Sequence, residues 1–228
     1  MTDDRPPRPA VLDPDQVWQV VDAQRRSLAD LLEDLSEEQW RQPSLCAGWT
    51  VRDVAAHLTQ QQLGLRDLLA TTTRWRGSLD RTIEHAARRH AAAVSTEQIV
   101  AEIRAMVGSR RHTLGVTHLE TLIDVLVHAQ DIAIPLGQRH EMPPRAAATA
   151  ATRVLSMRWP PPHPATRAVA GFRLTATDTA WSAGEGPQVH GPTAALLLVC
   201  SGRVVALPQL TGPGAAALAA RFPAPAPI

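Results

Sequence analysis

THLETLIDVLVHAQDIAIPLG, residues 117–137, is the stretch on which the fold turns. Leu119, Leu122, Ile123, Val125, Leu126, Val127, Ile132 and Ile134 cover most of a helix circumference. The polar remainder, Thr117, Glu120, Thr121, Asp124, His128 and Asp131, recurs at steps of one, three or four residues. Side chains four apart share a helix face. The spacing therefore predicts a helix from Thr117 to Ile134, stopped by Pro135-Leu136-Gly137, apolar on most sides and marked by one narrow polar stripe. In an ordinary amphipathic helix such a stripe faces solvent. Here it lacks the Arg and Gln used freely elsewhere, and a mostly apolar helix belongs at the centre of a bundle, where a carboxylate needs a partner or a metal.

The flanking sequence supplies the rest of the bundle. Asp13-Pro14 starts a first helix carrying Val17, Val20, Val21, Leu28, Leu31, Leu32 and Leu35, after which Ser36-Glu37-Glu38-Gln39-Trp40 leads into a loop with Pro43, Cys46 and Gly48. Thr50-Val51-Arg52-Asp53 is a capping-box pattern with Asp in place of Glu, opening a second helix through Val54, Leu58, Leu65, Leu68 and Leu69. A third helical stretch runs from about Leu79 to Arg111, broken near Ser95-Thr96, where an N-cap precedes Glu97. Pro143-Pro144 precedes an Ala-rich helix to about Met157, and Pro160-Pro161-Pro162-His163-Pro164 reads as a linker.

Beyond the linker the texture changes. Phe172 to Thr177 alternates like a strand, Thr193 to Cys200 suits a short apolar helix, and Val204-Val205-Ala206-Leu207 is a second strand candidate. The Pro/Ala tail from Pro223 to Ile228 is expected to be disordered. The expected fold class is α+β, with a four-helix bundle over 1–159 and a small α/β domain over 160–228, too short for a freestanding core and so docked on the bundle.

The chain has 228 residues and a formal net charge of +1, from 23 basic and 22 acidic residues. That balance gives no electrostatic reason to expect nucleic acid or an acidic membrane as partner. Cys46 and Cys200 are too far apart for a CxxC motif and too few for a disulfide framework. The start, Met1 to Pro7, has no apolar core of a signal peptide, and no segment approaches the ~20 apolar residues of a membrane span. The expected location is the cytoplasm.

His57 shares a face with Val54, Leu58, Gln61 and Leu65, the core-facing stripe of the second helix. A lone histidine there is ordinarily a satisfied core residue. Set beside Asp124 and His128, it makes two imidazoles and one carboxylate with an open position for water or substrate. Bundle interiors host such sites.

Cys46-Ala47-Gly48-Trp49-Thr50-Val51-Arg52-Asp53-Val54-Ala55-Ala56-His57-Leu58 resembles the loop-to-helix motif of the mycothiol-dependent maleylpyruvate isomerase family, within the DinB-like metal-binding bundles. The segment from Asp124 to Gly137 resembles that family's second motif. Ala176-Thr177-Asp178, Trp181, Gly186-Pro187, Val189, Gly191-Pro192 and Gly202-Arg203 resemble its smaller α/β domain. The resemblance implies that His57, Asp124 and His128 are metal ligands, with Asp124 where the family enzyme has Glu. It implies a divalent ion, zinc first, with nickel, cobalt, manganese or iron as alternatives, and mycothiol as a cofactor. Partners would then be a low-molecular-weight thiol and a small electrophile, and the activity a metal-dependent thiol transfer or isomerisation in which the ion turns the thiol into a thiolate.

Asp131, one turn beyond His128, is a candidate to orient an imidazole or a substrate group, against the plainer reading of a surface carboxylate. The resemblance places an Arg of the small domain near the site, and Arg203 suits a substrate carboxylate. Cys46 reads as a buried structural thiol. Three other functions share the residue set: a hydrolase using metal-activated water, a non-haem iron oxygenase with a facial triad, and a non-catalytic metal- or small-molecule-binding bundle.

Overall fold

The structure is a computed structural model that describes residues 11–62, 77–113, 115–161 and 163–222. It divides into two compact units, one of Pro14–Glu141 and one of Met142–Ile228 together with Met1–Asp13. The fold class is α+β, as the sequence predicts, mostly helical with a three-stranded sheet.

Among the described residues the first unit's elements are helices: α1 (Pro14–Glu33), α2 (Glu37–Arg41), α3 (Val51–Leu58), α4 (Leu79–Ala93), α5 (Thr96–Ala105) and α6 (His118–Ala133). The starts of α2 to α6 follow from local capping chemistry. Thr50 Oγ1 accepts from Asp53 N at 3.2 Å while the Asp53 carboxylate accepts from Thr50 N at 2.9 Å, the predicted capping box. Ser95 caps α5 through Gln98 N, and Thr117 with Glu120 forms a further capping box at α6. Gly137, with φ of +63°, turns the chain after α6. Ser36 forms a capping box with Gln39, so Ser36–Trp40, read as the entry to a loop, instead starts α2. The second helix ends at Leu58; Leu65, Leu68 and Leu69, assigned to it from sequence, lie outside the described residues. The third stretch breaks as expected before Thr96 but ends at Ala105, short of Arg111.

α1 packs against α5 and α6, and α3 against α4, α5 and α6. Leu28, Leu32, Val54, Ile99, Ile103 and Ile132 form the shared core, and Leu28, Val54 and Ile132 are wholly buried. Most of the polar stripe of α6 turns inward: Glu120, Thr121 and Asp131 are buried and Asp124 and His128 half-buried, while Thr117 at its start is exposed.

The second unit holds α7 (Pro144–Ser156), α8 (Ala165–Val169), β1 (Arg173–Ala176), β2 (Ser182–Ala183), β3 (Gln188–Gly191), α9 (Thr193–Cys200), a 3₁₀ turn (Val204–Gln209) and α10 (Ala215–Ala219). The sheet order is β2-β1-β3, with β1 antiparallel to β2 and parallel to β3. α9 packs on α7 and β1. Trp181 Nε1 donates to Thr152 Oγ1 at 2.9 Å, tying the sheet to α7. The strand expected at Val204–Leu207 is the 3₁₀ turn. Pro208 within it donates no ladder hydrogen bond, and Gly202, with φ of +85°, turns the chain just before it. The Pro160–Pro164 segment lies inside this unit, and the tail from Pro223 lies outside the described residues.

Candidate metal centre

Two helices and one loop build the centre. α6 presents Asp124 and His128 one turn apart, and α3 presents His57 near its C-terminal end. One ligand atom each from His57, Asp124 and His128 lies within 4.8 Å of the other two. The His57 and His128 rings meet edge to face with centroids 5.0 Å apart. All three residues are half-buried.

Asp131 is fully buried and sits against the back of His128, its Oδ2 2.8 Å from Nδ1. An ionised carboxylate only accepts hydrogen bonds, so the proton of that pair resides on Nδ1. The other nitrogen, Nε2, is then the one whose lone pair His128 offers once it is singly protonated. This is the carboxylate–histidine arrangement that orients metal-bound imidazoles. His57 Nδ1 is buried and has no hydrogen-bond partner. An unpartnered buried nitrogen is costly, and His57 Nδ1 beside a second imidazole and a carboxylate fits a divalent ion.

The two histidines are pushed in opposite directions. Burial, then the neighbouring His128, lowers His57 to about 3. Burial alone would lower His128 as well, but its hydrogen bonds to Asp131 and Cys46 outweigh that and raise it to about 10.

The loop between α2 and α3 contributes two residues that the sequence reading left out of the site. Trp49 meets the His57 ring edge to face at 5.7 Å. Cys46 is half-exposed rather than buried, and its thiol donates to Asp131 Oδ2 at 3.1 Å and lies 3.7 Å from His128 Nδ1. Cys46, His128 and Asp131 thus make a second group close enough for an ion, sharing His128 with the first. The loop is fixed to α6 through the backbone too, since Leu45 N donates to the Asp131 carbonyl at 3.1 Å. The signal for these contacts was the Cys46–Trp49 segment immediately before the capping box.

Arg203 lies in the second unit, at the head of the 3₁₀ turn, where its guanidinium donates to the Ser201 carbonyl. Of the remaining histidines, His90 pairs with Glu102 at 2.7 Å and His118 stacks near Trp18, neither in a metal-ligating group among the described residues.

The fold and this cluster define a class: a helical bundle carrying a two-histidine, one-carboxylate centre, with a small α+β unit after it. Residues 21–120 match the family model of the mycothiol maleylpyruvate isomerase N-terminal domain, a span that includes His57 and ends before Asp124. A crystal structure of the mycothiol-dependent maleylpyruvate isomerase has the same fold, with a TM-score of 0.55 and 16% identity over 84% of this chain and 90% of that one. A histidine-to-alanine mutant of that isomerase aligns with a TM-score of 0.54 at 16% identity over the same shares. No curated protein matches the chain. No helix among the described residues is long and apolar enough to cross a membrane.

Proposed function

We propose that His57, Asp124 and His128 hold one divalent ion and that the protein is a thiol-dependent isomerase or transferase acting on a small electrophile, with mycothiol as its thiol. The observation that carries this reading is the convergence of the three ligand atoms within 4.8 Å, with His57 Nδ1 left unpartnered and His128 held through Nδ1 by Asp131. The family match over residues 21–120 supports the choice of thiol chemistry. A divalent ion at this place lowers the pKa of a thiol beside it, so that the thiolate nucleophile is available at neutral pH.

The chain's own residues set up that chemistry. Asp131 keeps the His128 proton on Nδ1 and fixes the ring plane. Trp49 screens one side of His57 and restricts its rotation.

The test is metal analysis of protein purified without added metal, then titration of a cobalt-substituted sample with mycothiol. Near-stoichiometric metal and a sulfur-to-cobalt charge-transfer band are expected, the band being lost in His128→Ala. Full metal loading with no band from mycothiol, bacillithiol or glutathione would remove the thiol chemistry and leave a hydrolase or a binding bundle.

A further inference from the structure

We infer that Cys46 is a positioning residue of the centre: its thiol donates to the same Asp131 oxygen that holds His128 Nδ1, and so fixes the imidazole that the centre uses. The inference rests on the metal-centre reading for its functional consequence, while the geometry stands on its own.

Asp131 Oδ2 lies 2.8 Å from His128 Nδ1 and 3.1 Å from Cys46 Sγ. Rotation of the carboxylate about χ2 would carry the His128 ring with it, and the thiol hydrogen bond to the same oxygen opposes that rotation. Leu45 N bonds the Asp131 carbonyl at 3.1 Å, so side chain and main chain of this residue are both tied to the loop. The loop is itself stiff: Ser44 Oγ accepts from Cys46 N at 3.1 Å and donates to the Trp49 carbonyl at 2.9 Å, and Trp49 N donates to the Cys46 carbonyl at 2.9 Å. Trp49, at the other end of the same turn, lies against His57. One short loop thus bears on both histidines, on one directly and on the other through Asp131.

The alternative for Cys46 is ligation, since Cys46, His128 and Asp131 also form a metal-sized group. The spacing argues against it. Nδ1 and Oδ2 stand 2.8 Å apart, a hydrogen-bond length. Two ligands of one ion with bonds of ~2.0–2.2 Å in tetrahedral geometry stand ~3.3–3.5 Å apart. The pair is closed around a proton, and the sulfur approaches the carboxylate more closely than it approaches the imidazole.

Two variants separate hydrogen bonding from packing and from ligation. Cys46→Ser keeps a donor of similar size; Cys46→Ala removes it. In metal-free protein the His128 Nδ1–H resonance should exchange with water at least tenfold faster in Cys46→Ala, with Cys46→Ser close to wild type and both variants melting near the wild-type temperature. In zinc-loaded protein, competition with a chelator should show affinity falling by about tenfold in Cys46→Ala, with Cys46→Ser retaining it. Unchanged Nδ1–H exchange in Cys46→Ala overturns the inference, whether or not the protein binds zinc. Equal loss of zinc in both variants also overturns it, because the sulfur is then a ligand. Failure of wild type to bind zinc, with the exchange pattern intact, removes the metal-centre reading and leaves the positioning contact in place.

Discussion

His57 and His128 stand edge to face and are shifted in opposite senses, and the stability of the metal-free protein should record both. His57 falls from an ordinary value of 6.5 to about 3. As pH drops through that window the unfolded chain takes up a proton that the native ring refuses, so acidification destabilises the fold. His128 rises from 6.5 to about 10, so its contribution is complete below pH 6.5 and is lost as pH climbs toward 10. The metal-free melting temperature should therefore peak near neutral pH, with limbs of up to about 1.4 kcal/mol per pH unit on either side. His57→Ala should flatten the acid limb and His128→Ala the alkaline one; calorimetry across pH 4–10 checks both, and unchanged limbs contradict the shifts. Loading must displace the second His128 proton, so metal uptake at pH 7 should release about one proton, read with an indicator dye. Asp124→Glu, which lengthens the carboxylate by one methylene, should retain the metal. The pairing of Asp124 with His128 was legible because one helical turn fixes it, and His57 because it interrupts an apolar stripe. Cys46 was not, since its partner Asp131 lies 85 positions away and only the folded loop brings them together.

At the scale of elements, caps decided where α2 to α6 begin, and those at Thr50 and Ser95 were readable in the sequence while that at Ser36 was not. Thr50 is the test. It closes the capping box of α3, the helix that carries His57. Thr50→Ala should cost about 1 kcal/mol and lower the melting point by roughly 2–4 °C. A shift below half a degree would mean that packing alone sets this helix start. Strands were harder. β2 spans Ser182–Ala183 and β3 spans Gln188–Gly191, runs too short for alternation to announce; pairing with β1 creates them. The Val204–Leu207 run misled for the opposite reason, having β-branched residues without a partner strand. Gly202 before it has φ of +85°, and a Cβ there would stand 2.3 Å from His163 Cε1. Gly202→Ala should destabilise the second unit by about 1–2 kcal/mol from backbone strain alone. Because that strain is independent of the exposed His163 ring, adding His163→Ala should recover only the steric part, measured by urea denaturation of the double variant.

Across the whole molecule, the proline run after Met157 read as a boundary because prolines and a change in texture coincide there. Compactness draws the line elsewhere, between Glu141 and Met142. The reason lies in α7. Its buried face is Ala146, Ala147, Ala150, Ala151 and Val154, small residues that give no long-range signal in sequence. Their flatness lets α9 approach, and α9 is apolar throughout, with Leu196, Leu197, Leu198 and Val199 all buried. A helix apolar on every side needs cover on every side. α7 provides part of it and also receives the Trp181 indole through Thr152. We therefore place the folding boundary at 141/142, and fragments decide the matter. Residues 142–228 should show a cooperative urea transition, whereas residues 165–228, lacking α7, should expose α9, bind a hydrophobic dye and unfold without a sharp midpoint. The first unit makes the complementary case. Its core residues from Leu28 to Ile132 lie within Pro14–Glu141, so a chain ending at Glu141 should melt cooperatively and hold zinc through His57, Asp124 and His128. A chain ending at Met157 would carry α7 with its alanine face uncovered and should be the less soluble of the two. Equal cooperativity in 142–228 and 165–228 would put the boundary back at the prolines.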